Sequence, residues 1–231
     1  MTVDLQPIKL GVPPEIGLAV VIAGSPVTGS KDQRHAGFLV QYPDNTLWLF
    51  DLAWDNICRR TEITNDYAYL NYQFLDEFSA TAFIALLHMI QSQNQGKLGY
   101  SIHYESSPYF DTNTGQALNT GAGQGLTCAT FVLETLERYG IFLIDRLSWP
   151  ISPDNAHWQR NILLTLISRT KPPLSIDKFT NQFKFIGKTR RFKPEEAVAA
   201  TSIFTGTPST FQAVNPLSQT VIDQMEILEL R

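Results

Sequence analysis

The sequence predicts a mixed fold of strands and helices, with the strands gathered in the first part of the chain. Three observations predict it. Two apolar stretches, 36–42 and 46–52, flank the turn residues Pro43, Asp44 and Asn45 and read as a hairpin. Residues 78–93 repeat their apolar side chains at helical spacing. The stretch 121–140, GAGQGLTCATFVLETLERYG, runs a glycine-rich loop into a second helix, with Cys128 in its first turn.

Taken in order, residues 1–17 form an irregular lead-in, because Pro7, Pro13 and Pro14 exclude a helix. Residues 18–23 are a short apolar run closed by Gly24, Pro26 and Gly29, a buried strand followed by a loop. The hairpin comes next. Residues 53–75 are rich in aromatic side chains and show no clear period. The helix over 78–93 puts Ala82, Phe83, Leu86, Leu87 and Ile90 on its apolar face, with Asp76 or Ser79 as cap. Residues 98–104 alternate like a strand. A loop of about twenty residues, rich in Ser, Asn, Thr and Gly, then leads to Cys128; loops this long are uncommon in compact domains and often functional.

The cysteine helix is well written. Thr127 is its N-cap, Glu134 and Arg138 form an i,i+4 pair, and Gly140 is a natural stop. Cys128, Phe131, Val132, Thr135 and Tyr139 fall along one face. Beyond it, 141–144 is apolar, 149–153 turns, and 156–168 makes a helix capped by Asp154 or Asn155. Residues 183–186 read as a short strand, and Pro194 opens a helix running to Ala200. A tail rich in Ser, Thr and Pro extends from Thr201 to the apolar stretch 221–230. The organisation is therefore a lead-in (1–17), a core (18–145) and a C-terminal extension (146–231) packed on the same domain.

Composition narrows the function. With 43% apolar and 17% charged residues and a net charge of −4, the chain offers no electrostatic reason to bind nucleic acid or an anionic membrane. One basic cluster, Lys184, Lys188, Arg190, Arg191 and Lys193, reads as a solvated strand end. Two cysteines, Cys58 and Cys128, make neither a disulfide framework nor a zinc site. No run of residues is long and apolar enough for a membrane span. The N-terminus lacks the basic and apolar regions of a secretory signal. The expectation is a soluble protein made in the cytoplasm, which would act elsewhere only through a route without a cleaved signal.

A thiol at a helix N-terminus feels the positive end of the helix dipole and the unpaired N–H groups there, and both favour the nucleophilic thiolate. Around it Gly123, Gln124, Gly125 and Thr127 form the loop whose backbone N–H groups would hold an oxyanion or line the substrate. The thiol needs a base, and the base an orienting group. His88 sits off the apolar stripe of its helix, His103 faces solvent from its strand, and His157 follows a helix cap. His35 differs: it stands at the start of a strand, directly before the small residues Ala36 and Gly37. In a hairpin turning at 43–45, opposite positions sum to roughly 88, so Asp51 is a diagonal neighbour of position 35 on the same face. Asp51 would accept the Nδ1–H of His35, with Asp55 as substitute if the register differs.

A His-x-Gly strand, a second strand with a polar residue and a later Thr-Cys opening an amphipathic helix resemble the circularly permuted NlpC/P60 cysteine hydrolases of the papain-like superfamily. His35, Asp51 and Cys128 follow the permuted order, as in the YiiX-like and lecithin retinol acyltransferase-like groups. The resemblance covers about residues 18–140. It implies an α+β papain-like core, with an antiparallel sheet packed on the Cys helix. It also implies thiol chemistry on an amide or ester through an acyl-enzyme; the His and Cys residues lack metal-ligand spacing, so no metal is expected and cofactor-free chemistry is the default. The expected function is that of a cysteine amidase or peptidase with a Cys-His-Asp triad, acting on a peptide or amide substrate such as the cell-wall peptides of peptidoglycan. The alternatives are a lipid acyltransferase or lipase on the same triad, and a non-catalytic binding module. Residues 141–231 match nothing in the resemblance; they would wall a substrate cleft or meet a protein partner.

Overall fold

The computed structural model describes residues 3–25, 33–104, 108–170 and 175–230. Pro26 and Gly29, expected to close the first strand, lie outside the described residues, as do 105–107 of the long loop. The fold is mixed α+β. Six strands form one antiparallel sheet: β1 (Gln6–Pro7), β2 (Leu18–Gly24), β3 (Arg34–Gln41), β4 (Leu47–Trp54), β5 (Ile57–Glu62) and β6 (Ala68–Asn71). They lie in the order β1-β6-β2-β3-β4-β5. Among the described residues there are six α-helices: α1 (Glu77–Asn94), α2 (Cys128–Arg138), α3 (Asn155–Arg169), α4 (Ile176–Phe183), α5 (Pro194–Ile203) and α6 (Phe211–Ile227).

The β3–β4 hairpin turns where Asn45 adopts a left-handed φ of 65° and the Asp44 carboxylate accepts the Thr46 N–H at 3.0 Å. Its register, with Phe38 opposite Phe50 and Val40 opposite Trp48, has the expected sum. Both faces of the central strands are covered, which is why β2 reads as an unbroken apolar run. Leu18, Val20, Ile22, Phe38 and Phe50 enter the main core, while Ala19, Val21, Leu39, Leu49 and Tyr69 form a smaller cluster on the other face. Phe38 joins the layers: its ring meets Phe83 of α1 at 5.2 Å and Phe131 of α2 at 6.1 Å. The helix α2 packs on β3, β4 and α5.

Several expectations are corrected. The lead-in is not wholly irregular: Gln6 and Pro7 pair with Tyr69 and Ala68, and Val3, Leu5 and Ile8 are buried. A proline suits this edge position, where its missing N–H costs no ladder bond. Residues 53–75, which show no clear period, supply β5 and β6. Ala82 is exposed, and Ala80 takes its place on the buried face of α1. Residues 98–104 form no strand: Asp55 and Gln182 side chains take the N–H groups of Tyr100 and Ile102, and only Tyr100 bridges to Leu126. Side-chain acceptors replace the neighbouring strand. His103, expected to face solvent, stacks on Phe185 with ring centroids 3.4 Å apart.

The remaining corrections concern the helices. Helix α2 is buried all round from Cys128 to Leu136, so Glu134 makes no surface pair with Arg138. It instead receives the Tyr104 hydroxyl and the Tyr109 N–H and pairs with Arg146. Asp154 precedes α3 without a side-chain cap bond. Residues 184–186 are turns after α4, not strand. Helix α6 begins at Phe211, ten residues before the expected apolar stretch, and carries Pro216 inside it. The C-terminal residues share the main core, through Val198, Ala200, Val214, Val221 and Met225 among others. Among the described residues no helix is long and apolar enough to cross a membrane.

Candidate active site

The site is built where β3, β4 and β5 meet the N-terminus of α2. The start of α2 is fixed by a reciprocal capping box. Thr127 Oγ1 accepts the Thr130 N–H at 3.2 Å, and Thr130 Oγ1 accepts the Thr127 N–H at 2.7 Å. Cys128 is therefore held as the first helical residue, and it is 3% exposed. The helix ends as its sequence indicated: Gly140 has a φ of 95°, its N–H bonds Glu137 O, and the Ile141 N–H reaches back to Leu136 O.

His35 comes from the first turn-free residues of β3 and reaches Asp51 of β4, with His35 Nε2 2.6 Å from Asp51 Oδ2. This contact runs diagonally past Gly37. A Cβ on Gly37 would lie 2.7 Å from Phe50 O and 3.0 Å from Asp51 Cβ, so only glycine lets β3 and β4 close here. The nitrogen differs from the expected one. Asp51 binds Nε2, which leaves Nδ1 as the ring nitrogen for the thiol. Whether the nearer or farther nitrogen meets Asp51 depends on the ring torsion, which sequence spacing does not reveal.

Asp51 is fully buried and is held from its other side by Arg59 of β5. Arg59 Nε donates to Oδ1 at 2.9 Å and Nη2 to Oδ2 at 3.1 Å. This fork is a fixed bidentate contact. Burial alone would raise the Asp51 carboxyl, but the His35 and Arg59 hydrogen bonds and charges outweigh it and hold the group below its ordinary value. Burial likewise opposes a charged His35. The Cys128 charge and the hydrogen bonds to Asp51 and Cys128 outweigh that too, and lift His35 from 6.5 to about 10. The imidazolium is thus the favoured form beside this thiol and carboxylate.

Two tyrosines complete the surroundings. Tyr67 presents its ring edge-on to His35, with centroids 6.4 Å apart. Tyr100, 3% exposed, lies beside Cys128. Burial first, and then the charge of Cys128, keep its hydroxyl protonated far above the ordinary range. Arg59, Tyr67 and Tyr100 were not anticipated. The Asp55–Asn56 pair is a turn signal that places residue 59 opposite 51 in a second hairpin, as the register has it. Nothing comparable in the sequence points to either tyrosine.

The remaining candidates sit elsewhere or do other work. The Asp55 carboxylate accepts the Tyr100 N–H and pairs with Lys178, so Asp51 and not Asp55 meets His35. Gly123 has a φ of 89° and a Cβ there would lie 2.7 Å from Asn181 Cβ; one on Gly125 would lie 2.3 Å from Gly99 O. Close packing of the loop on α4 and on residues 99–100 thus accounts for both glycines. Gln124 closes its own turn by accepting the Gly121 N–H at 3.0 Å. His88 bonds Tyr42 Oη at 2.7 Å, and His157 bonds Asn161. Cys58 is free and buried; burial and then the Asp51 charge push its thiol up to about 12. Among the described residues no three His, Cys, Asp or Glu side chains are grouped to hold a metal ion.

Comparison of the chain with protein-family models, with curated proteins and with solved structures finds no match. What the site holds is a thiol at a helix start, an imidazole beside it, and a buried carboxylate that binds one nitrogen of that imidazole.

Proposed function

We propose that this chain is a cysteine hydrolase with a papain-like core of the permuted NlpC/P60 kind, cutting an amide bond through an acyl-thioester. One observation carries the reading. The His35–Asp51 pair of the β3–β4 hairpin, 2.6 Å apart, lies beside Cys128 at the start of α2, and Arg59 holds the far side of the carboxylate. A core that needed only packing at these positions would use apolar side chains, since a carboxylate is costly to bury unless its partners are held in place.

The steps use the chain's own groups. Cys128 Sγ, its proton already resting on His35 Nδ1, attacks the carbonyl carbon. The Cys128 backbone N–H and the Tyr100 hydroxyl, neighbours at the thiol, are the donors for the oxyanion in place of the glycine loop, once the substrate carbonyl has displaced their contact with each other. The C–N bond breaks as His35 returns its proton to the leaving amine. Water, deprotonated by His35, then splits the thioester and restores the thiol. Asp51 keeps the ring oriented throughout. The substrate class is a peptide amide, with cell-wall peptides the first to try.

The test is mass spectrometry of the folded protein exposed to p-nitrophenyl acetate and then to peptide amides, peptidoglycan fragments included. An acyl adduct on Cys128 in the parent, absent in Cys128→Ala, with amine released from a peptide amide, is the expected result. An absent adduct would sink the reading. The near-complete burial of Cys128 favours one rival, a non-catalytic module of the same fold, and an acyl-inert Cys128 would select it.

A further inference from the structure

On another part of the molecule a cleft of about 540 Å³ opens between the 103–104 segment, the turn at Arg146 and the stretch 185–192. Its size lies within the range of ligand pockets, roughly 300–1,000 Å³. Among the described residues no acidic side chain lines it, although acids outnumber bases in the chain as a whole. Three cationic side chains do: Arg146, Lys188 and Arg190.

Arg146 is compensated from behind. It pairs with Glu134 and Glu137 of α2 and lies 4.8 Å over the Tyr104 ring, so its position is fixed. The other two are not. Among the described residues neither Lys188 nor Arg190 has a carboxylate partner. Their basic neighbours are all engaged: Lys184 donates to Asn181, Arg191 lies 3.9 Å over Trp158, and Lys193 pairs with Glu196. Arg190 donates Nε to Trp149 O at 2.8 Å, which orients the guanidinium and leaves its terminal nitrogens for another acceptor. Beside these charges the wall is aromatic, with His103 stacked on Phe185 at an interplanar angle of 7°.

We infer that this cleft binds a small organic anion, a carboxylate or a phosphate ester carried on an aromatic body. The anion would meet the Lys188 ammonium and the Arg190 fork, and the ring would lie against Tyr104 and the His103–Phe185 stack. Two cations at one cleft without a carboxylate partner among the described residues repel one another, and a bound anion relieves that repulsion. Cys128 does not line the cleft, so the inference does not rest on the hydrolase reading.

Isothermal titration calorimetry of the full chain with phenyl phosphate, phenylacetate and inorganic phosphate tests it. The expected result is saturable binding of an aryl anion with a Kd below about 1 mM, at least about tenfold tighter than inorganic phosphate. Tighter binding of phenyl phosphate would assign a phosphate ester, and of phenylacetate a carboxylate. The double variant Lys188→Gln, Arg190→Gln should weaken binding at least about fivefold, with an unchanged melting temperature showing that it folds. Cys128→Ser should bind like the parent. No saturable binding of either aryl anion, equal binding by the folded double variant, or loss of binding in folded Cys128→Ser would each overturn the inference.

Discussion

Replacing Asp51 by asparagine keeps the shape of the side chain and removes the charge at the centre of the site. The carboxylate has no exposed surface and satisfies three donors, one from His35 and two from Arg59. An amide presents one oxygen and one NH2, so at least one buried N–H is left facing another donor. Breaking a buried charge pair costs about 3–5 kcal/mol. Arg59 is 41% exposed and can turn toward water, whereas His35 at 13% cannot, which puts the expected loss near the lower end, about 3 kcal/mol. With a urea m-value of about 2–3 kcal/mol/M, the unfolding midpoint should fall by about 1–1.5 M. Arg59→Gln should cost only about 1 kcal/mol, because it leaves the His35 contact intact. Alkylation of Cys128 should slow in Asp51→Asn more than in Arg59→Gln. A loss below about 0.5 kcal/mol in Asp51→Asn, which is the ordinary scatter of surface changes, or unaltered alkylation, would refute the reasoning.

Other outcomes follow from the same contacts. Gly37→Ala should cost about 1–3 kcal/mol and slow Cys128 alkylation, because its Cβ meets Phe50 O and Asp51 Cβ; urea unfolding and alkylation check it. Tyr100→Phe should lower kcat on an amide substrate by about 10²-fold, as loss of an oxyanion donor does, while the folded protein still alkylates at Cys128. His35 has a folded pKa raised from 6.5 to about 10, so its stabilisation is full below 6.5 and lost as pH rises through about 10. At 1.36 kcal/mol per pH unit this is about 5 kcal/mol at most, and His35→Ala should flatten that slope in urea titrations. Burial, and then the Glu137 charge, raise Glu134 from 4.5 to about 7 against the pull of Arg146. Its contribution is therefore lost between pH 4.5 and 7, and Glu134→Gln should abolish the decline in that window.

Much of this arrangement is legible without coordinates, for local reasons. The β3–β4 register follows from a turn whose residues demand it, and the register brings Asp51 to His35. Thr127 and Gly140 mark α2 because caps are written in single residues. What stays hidden depends on distant partners. The edge strand β5, ICRRTE, alternates buried and exposed residues with few apolar ones, so Arg59 gives little sign of its pairing until the second hairpin is drawn. Residues 98–104 alternate like a strand, yet the N–H groups of Tyr100 and Ile102 go to side chains from positions 55 and 182, which no local pattern anticipates. Pro216 hides the first half of α6, since a proline inside a helix reads as a break.

Iodoacetamide alkylation of the folded chain at pH 6.5, followed residue by residue with mass spectrometry, tests the proposed thiolate–imidazolium pair most directly. Cys58, buried and with its thiol pushed up to about 12, is an internal control that should stay unmodified. The account predicts that Cys128 reacts at least about tenfold faster than free cysteine, which is only about 1% thiolate at that pH, and that His35→Ala removes the advantage. Reaction of Cys128 only after unfolding, or at the same rate in folded His35→Ala, would contradict it.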